Sequence, residues 1–102
     1  INERQLGASF IVSVEQLIEG WRPRAVADLQ PTDLDAAFAL KPSVILLGTG
    51  TRHVFPVPAV FAAALTRGIG LEAMDNAAAA RTFAVLAGEG RNVVAAFLID
   101  AD

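Results

Sequence analysis

The sequence predicts an α/β domain with a mixed, largely parallel sheet, and two observations lead to that prediction. Residues 43–47 and 92–99 are almost wholly apolar, which is typical of strands buried on both faces of a sheet. Between residues 31 and 99, stretches with helical spacing alternate with such strands, and this alternation favours parallel pairing through right-handed crossovers. We therefore expect one α/β domain over residues 1–102, with extended antiparallel strands in residues 1–30 and alternating helix and strand in residues 31–99.

The amino-terminal strands are indicated by alternation and by turn residues. Phe10, Val12 and Val14 fall on one face of an extended stretch over residues 9–14. A second short extended piece is expected around residues 18–25, and Gly20 permits the turn before it. Pro23 favours an edge position, because proline has no N–H to give to a ladder.

The first predicted helix follows these strands. Thr32 can cap it, with Asp35 as a capping-box partner, and Pro42 stops it. Its apolar stripe consists of Leu34, Ala37 and Phe38.

Two more helices are predicted on either side of a strand at residues 69–74. One begins at Pro58 and ends at Gly68. The other is capped by Asp75 or Asn76 and is closed by Gly88. Their apolar faces comprise Val60, Phe61, Ala64 and Leu65 in the first, and Ala79, Ala80, Phe83, Leu86 and Ala87 in the second.

Composition excludes several classes of function. The net charge is -3 and Lys41 is the only lysine, so the basic surface that nucleic acids require is missing. The chain has no cysteine, which excludes disulfides and thiolate chemistry and is compatible with a reducing compartment. The apolar runs are much shorter than the ~20 residues of a transmembrane helix. One histidine and dispersed carboxylates predict neither a metal site nor a cofactor.

The loop of residues 48–53, Gly-Thr-Gly-Thr-Arg-His, is the strongest local candidate for a site. It follows a buried strand at its carboxyl end, where open α/β sheets bind ligands. Glycine lets backbone N–H groups approach an anion, and Arg52 could pair with that anion. The alternative, which we favour, is a tight turn that needs a positive φ at Gly48 or Gly50.

No catalytic constellation is apparent. His53 could act as a general base, but no nucleophile precedes it at a known spacing. Asp75 could be an acid/base group, although a helix cap is its expected role. Glu72 lies within a predicted strand and would need a partner such as Arg81 or Arg52 if it were buried.

Four motifs together resemble a known family. They are VILLGTG at residues 44–50, RGIGLEAMD at 67–75, AARTF at 79–83 and EGRNVVAA at 89–96. Their order and spacing are similar to those of the MTH-type domain proteins, small bacterial and archaeal proteins of unknown function. Relatives of that family include a mitochondrial complex I (NADH dehydrogenase) alpha-subcomplex assembly factor and an adipogenesis-associated protein. The resemblance is good over residues 42–99 and loose before them.

The resemblance implies a compact three-layer β/α fold around a central mixed sheet and no established enzymatic activity. It also implies that the Leu-Gly-Thr-Gly and Arg-Thr motifs line one surface pocket. The sequence departs from the family at Asn76, where threonine is common, and at Ala84, where asparagine is common. Ala84 removes a polar group and weakens the argument for a polar catalytic site. The candidate pocket comprises Gly48, Thr49, Gly50, Arg52, Asp75, Arg81 and Thr82.

Three functional hypotheses follow. We favour a non-enzymatic interaction module that assists assembly of a membrane respiratory complex. It would be cytoplasmic and held at the membrane through a partner, either a subunit or an assembly factor of that complex. The second hypothesis is a small-molecule or anion-binding protein, which could also be an enzyme, using the Gly48–His53 loop. The third is an oligomeric role in which residues 92–99 pair across a two-fold axis.

Overall fold

The computed structural model describes residues 7–100, which form one five-stranded sheet with helices on both faces. Two short 3₁₀ helices, Val26–Asp28 and Pro31–Leu34, precede the first α-helix. The strands are β1 (Phe10–Val12), β2 (Leu17–Glu19), β3 (Val44–Gly48), β4 (Gly70–Met74) and β5 (Val93–Phe97), and the α-helices are α1 (Asp35–Phe38), α2 (Pro58–Leu65) and α3 (Asn76–Gly88). None of the helices within residues 7–100 has the length and apolarity to span a membrane.

The order of the strands across the sheet is β2-β1-β5-β3-β4. Strand β3 runs parallel to β4 and β5, whereas β1 runs antiparallel to β2 and β5. Four strands therefore point in one direction, which confirms the mixed, largely parallel sheet. Strand β5 lies between β1 and β3, so both of its edges are already paired, and pairing of residues 92–99 across a two-fold axis is wrong.

Residues that alternate along the central strands divide the core into two clusters, one on each face of the sheet. Ile45, Leu47, Val94 and Ala96 pack with the buried residues of α1 and α2. Their neighbours Val44, Leu46, Val93, Ala95 and Phe97 pack beneath α3. Both faces of β3 and β5 are thus buried, as their unbroken apolar sequences predict. The result is the three-layer arrangement that the resemblance implies.

The second strand is shorter than predicted. It ends at Glu19, and Gly20, with φ +73°, follows it rather than preceding an extended piece. The chain then turns inward to bury Trp21, whose indole N–H donates to the carbonyl oxygen of Asp33 at 2.8 Å. Pro23 is buried in the loop beyond the strand. The expected extension over residues 18–25 is therefore wrong after Glu19, because burial of the indole redirects the chain.

The first helix begins earlier than predicted, at Pro31, and its first turn is a 3₁₀ helix. Thr32 lies inside a 3₁₀ helix and does not cap it, and Asp35 is not a capping partner. Instead, the carboxylate of Asp33 accepts a hydrogen bond from the N–H of Gln30 at 2.8 Å. The guanidinium of Arg22 holds the same carboxylate at 2.9 and 2.7 Å and lowers the pKa of Asp33. The predicted apolar stripe is confirmed, since Leu34, Ala37 and Phe38 are buried.

The other two helices begin where the sequence predicts. Pro58 is the first residue of α2, and the carboxylate of Asp75 caps α3 by accepting from the N–H of Ala78 at 2.8 Å. One predicted core residue is wrong, because Leu65 is 77% exposed. At ~100° per residue, Leu65 lies ~140° around the helix from the buried Val60, beyond the face that meets the sheet.

Candidate functional site

A cleft of about 420 Å³ lies at the carboxyl ends of the parallel strands, where the glycine loop was expected to form a site. The loop after β3 forms one wall, and the first residue of α3 meets it. The rest of the wall comes from residues 24–27, which include the start of the first 3₁₀ helix, and from the chain after β5. The lining residues include Arg24, Thr49, Gly50, Arg52, Asn76 and Asp100.

Gly48, the last residue of β3, lies against the start of α3 so closely that no side chain fits. A Cβ atom placed on it would lie 2.3 Å from Oδ1 of Asn76 and 2.9 Å from the ring of Phe97. Such separations are far below van der Waals contact, so the glycine is required for close approach rather than for a positive φ.

The side chain of Asn76 joins the glycine loop to the end of β5. Its Oδ1 accepts from the N–H of Gly50 at 3.1 Å, and its Nδ2 donates to the carbonyl oxygen of Leu98 at 3.0 Å. The backbone N–H of Asn76 also donates to the carbonyl oxygen of Gly50 at 2.8 Å. The sequence pattern indicates Asn76 only as an alternative cap of α3 and does not predict this bridge between the loop and the chain after β5. The available signal was an amide side chain at the start of a helix that faces a glycine-rich loop.

Thr49 and Gly50 complete the turn. Thr49 is 7% exposed, and its hydroxyl contacts the carbonyl oxygens of Arg52 at 2.7 Å and Met74 at 3.2 Å. The same oxygen accepts from the N–H of Val54 at 3.1 Å. Gly50 has φ +109°, a conformation that favours glycine. The loop's Gly-Thr-Gly sequence is therefore explained by backbone geometry and internal hydrogen bonds, which supports the tight-turn interpretation.

The cleft has few free hydrogen-bond donors for an anion. The N–H groups of Thr49 and Gly50 are already bonded within the protein. Arg52 is exposed, and within residues 7–100 its guanidinium makes no ion pair. Arg24 pairs with Asp100 across the rim at 3.2 Å. Arg52 thus remains the candidate anion-binding group of the loop.

The structure brings together only part of the predicted pocket. Thr49, Gly50 and Arg52 line the cleft, Gly48 lies next to them in β3, and Asp75 serves as the cap of α3. Arg81 and Thr82 do not line it, because five residues of helix carry Arg81 roughly 7.5 Å along the axis from the first turn.

The remaining chemical candidates are dispersed. His53 is exposed and packs against the ring of Phe55, with ring centroids 4.5 Å apart. Glu72 is exposed on β4 and forms no ion pair with Arg81 or Arg52, so the buried pair considered above is not formed. In the described part of the chain, His, Asp and Glu side chains form no group of three that could hold a metal ion.

A second concavity, the α3–β1 groove, is larger and more apolar. Its volume is about 730 Å³, and it lies between α3 and the chain at and after β1. Six of its eight lining residues are apolar, and Val14 is 67% exposed. The lining comprises Val12, Ser13, Val14, Ala80, Arg81, Phe83, Ala84 and Ala87.

The groove lies beside α3, because that helix packs over the middle of the sheet and not over all five strands. Helix α3 packs on β3 and β5, near the middle of the sheet. Strands β1 and β2 lie beyond it, and no other helix in residues 7–100 packs on their side of this face. On this face of β1, Phe10 and Val12 are buried (7% and 8% exposed), so the open part of the groove lies around Val14, Arg81 and Ala84.

Comparisons with known proteins define the family. A search among curated proteins finds no significant match. Several solved structures are similar to this chain, and three of them are the following. XCC1710 of Xanthomonas campestris is 55% identical over 98% of this chain and 76% of its own, with a TM-score of 0.89. A Bordetella parapertussis protein is 38% identical over 91% and 80%, with a TM-score of 0.84. A Bordetella pertussis protein, described as a Mth938-like domain, is 30% identical over 95% and 77%, with a TM-score of 0.83.

The model of a family described as proteins of unknown function (DUF498/DUF598) matches residues 1–98. This match spans nearly the whole sequence, including all four motifs discussed above. The chain therefore belongs to the DUF498/DUF598 family and has the α/β fold of a Mth938-like domain.

Proposed function

We propose that this protein is a non-enzymatic interaction module that docks a partner protein in the α3–β1 groove. The observation that carries the proposal is the apolar lining of that groove, with the exposed Val14 at its edge. Exposed apolar concavities on soluble domains are typical of protein-binding surfaces, since their burial releases ordered water. The cleft at the glycine loop is smaller than the groove, and polar and charged side chains interrupt its apolar lining.

Arg81 gives the groove a preference for one sign of charge. It is the only charged residue that lines the groove, and within residues 7–100 it forms no ion pair. An apolar partner segment with a carboxylate at the matching position would bury its apolar side chains and pair with this guanidinium. We expect such a pair to add specificity more than affinity.

We further propose that the partner is a subunit or an assembly factor of a respiratory complex. The support for this step is the resemblance of the four motifs to the family that includes a complex I assembly factor. The protein would then work on the cytoplasmic side and be held at the membrane by its partner.

The test is a pair of matched valine substitutions in the cells from which the chain comes. Val14→Asp places a charge in the groove, whereas Val57→Asp places one at a similarly exposed valine outside it (67% and 58% exposed). In cells without the endogenous gene, we expect Val57→Asp to restore NADH:quinone reductase activity and Val14→Asp to fail at equal protein level. Equal restoration by both variants would contradict the groove's role, and normal activity without the gene would contradict the respiratory role.

A second candidate function is anion binding at the cleft, and the exposed guanidinium of Arg52 beside the glycine loop favours it. Pyrophosphate is a suitable probe. Saturation at about 100 times the Kd would stabilise the fold by about 2.7 kcal/mol and raise the Tm by roughly 10–20 °C. Arg52→Ala should abolish that rise, and Arg81→Ala, outside the cleft, should retain it. No rise in Tm, or an equal rise in the Arg52 variant, would remove this candidate.

A further inference from the structure

The outer edge of β4 is a second surface with the features of a binding site. Among the described residues, β4 pairs only with β3 and forms one end of the sheet. It is five residues long, whereas β2, at the opposite end, has three. An edge strand presents N–H and C=O groups that another extended chain can pair with.

The register identifies the groups that face outward. The N–H of Gly70 donates to Ser43, and the carbonyl oxygen of Met74 accepts from Thr49, so both residues face β3. Because inward and outward residues alternate along a strand, Glu72 also faces β3 with its backbone. Leu71 and Ala73 therefore direct their N–H and C=O groups away from the sheet. These four groups are the hydrogen-bonding face of the edge.

The side chains of β4 give the edge two chemically different sides. Leu71 and Ala73 are half-buried on the side of α2, where they extend the apolar core. Glu72 lies on the side of α3 and is exposed, and its carboxylate makes no ion pair or hydrogen bond within residues 7–100. The strand contains no lysine or proline, two residues that commonly protect exposed edges.

The negative charge of Glu72 determines which kind of strand can pair with the edge of β4. In the antiparallel register that uses all four outward groups of two copies, Glu72 of one copy would lie opposite Glu72 of the other. Like charges directly opposite each other destabilise a strand pair, and the net charge of -3 adds to the repulsion. A partner strand with lysine or arginine at that position would instead form a cross-strand ion pair.

We propose that β4 binds an extended basic segment of another protein as a sixth strand of the sheet. The segment places a basic side chain opposite Glu72 and apolar side chains beside Leu71 and Ala73. This surface is separated from the α3–β1 groove by the width of β3 and β5, so the proposal stands independently of the groove.

Titration of the ¹⁵N-labelled protein with two short peptides tests the proposal. One is acetyl-Thr-Lys-Val-Lys-Val-Lys-Thr-amide, and its matched control has glutamate in place of each lysine. We expect millimolar binding of the lysine peptide, with amide shifts centred on Leu71 and Ala73 and at least threefold weaker binding of the glutamate peptide. Glu72→Lys should reverse that preference. Ala73→Pro should abolish binding while leaving the fold intact, because the N–H that it removes faces outward.

Three outcomes would overturn the proposal. These are no shifts at β4 with millimolar lysine peptide, equal affinity for the two peptides, or unchanged binding by a folded Ala73→Pro variant. If that variant does not fold, the charge reversal in Glu72→Lys decides the question alone. Shifts centred on Val14 and Ala84 would place the peptide in the groove, which would support the groove as a docking surface but count against the β4 edge.

Discussion

Gly48→Ala tests whether the close contact between Gly48 and Asn76 stabilises the fold. The added methyl group would meet Oδ1 of Asn76 at 2.3 Å and the ring of Phe97 at 2.9 Å, so at least one of them must move. Overpacking of this kind costs about 1–3 kcal/mol. If the amide of Asn76 moves, its bonds to Gly50 and Leu98 weaken, at a net cost of about 1 kcal/mol each.

The expected loss in unfolding free energy is therefore about 1–3 kcal/mol if the amide keeps its bonds and about 3–5 kcal/mol if it loses both. For a domain of this size a loss of 1 kcal/mol lowers the Tm by roughly 4–8 °C, so thermal and urea denaturation followed by far-UV circular dichroism will resolve it. Gly88→Ala is the matched control. No atom lies within 4 Å of its added methyl group, and we expect a neutral or slightly stabilising effect.

A double-mutant cycle assigns the cost to its cause. Asn76→Ala alone should destabilise by about 1–3 kcal/mol, because it leaves the N–H of Gly50 and the carbonyl of Leu98 without their partner. In that background Gly48→Ala should cost clearly less than in the wild type, since only the ring of Phe97 remains in the way. Two results would contradict a stabilising contact between Gly48 and Asn76. One is a Gly48→Ala variant as stable as the wild type, and the other is a double variant whose loss of stability equals the sum of the two single losses.

Other predictions concern stability and its dependence on pH. Asp75→Ala should cost about 1 kcal/mol by urea denaturation, and Asp75→Ser should restore most of it, because serine also caps helices; equal stability of Asp75→Ala and wild type would contradict the cap. Asp33→Asn should reduce stability at pH 7. Because pairing with Arg22 lowers the pKa of Asp33 from its usual 3.8, the difference should persist above that value and vanish as pH falls through the lowered pKa; a constant difference from pH 7 to 2 would argue against the pair. Thr49→Val should cost about 1–3 kcal/mol, since the N–H of Val54 loses its acceptor. Leu65→Asn, at an exposed site, should stay within about 0.5 kcal/mol of the wild type.

The carboxyl-terminal two-thirds of the fold was predictable because its signals are local. Pro58 and Asp75 mark helix starts through their own chemistry, and the apolar runs around β3 and β5 leave little alternative to burial. The amino-terminal part was less predictable, because its boundaries depend on distant partners. The indole of Trp21 reaches the carbonyl oxygen of Asp33, and the guanidinium of Arg22 reaches the carboxylate of Asp33, only in the folded chain. These contacts lie where β2 has ended and the first helix begins.

The position of the glycine loop and its tight turn at Gly50 were predictable, but the contacts that Gly48 and Asn76 make were not. Placing the glycine loop at the carboxyl ends of the strands requires only the alternation of strand and helix. The close approach at Gly48 and the hydrogen bonds of Asn76 depend on the position of α3 on the sheet. No local sequence pattern predicts that position. The same is true of Arg81, because the sequence does not show which flank of α3 faces β1.

The central claim is that the α3–β1 groove docks a partner protein, and photo-crosslinking tests it most directly. A benzoylphenylalanine introduced in place of Val14 reports on proteins that enter the groove, and the same residue in place of Val57 is the control. We predict that position 14 crosslinks a subunit or an assembly factor of a respiratory complex in intact cells and that position 57 does not. The same crosslinked proteins at both positions, or none at position 14, would contradict the claim.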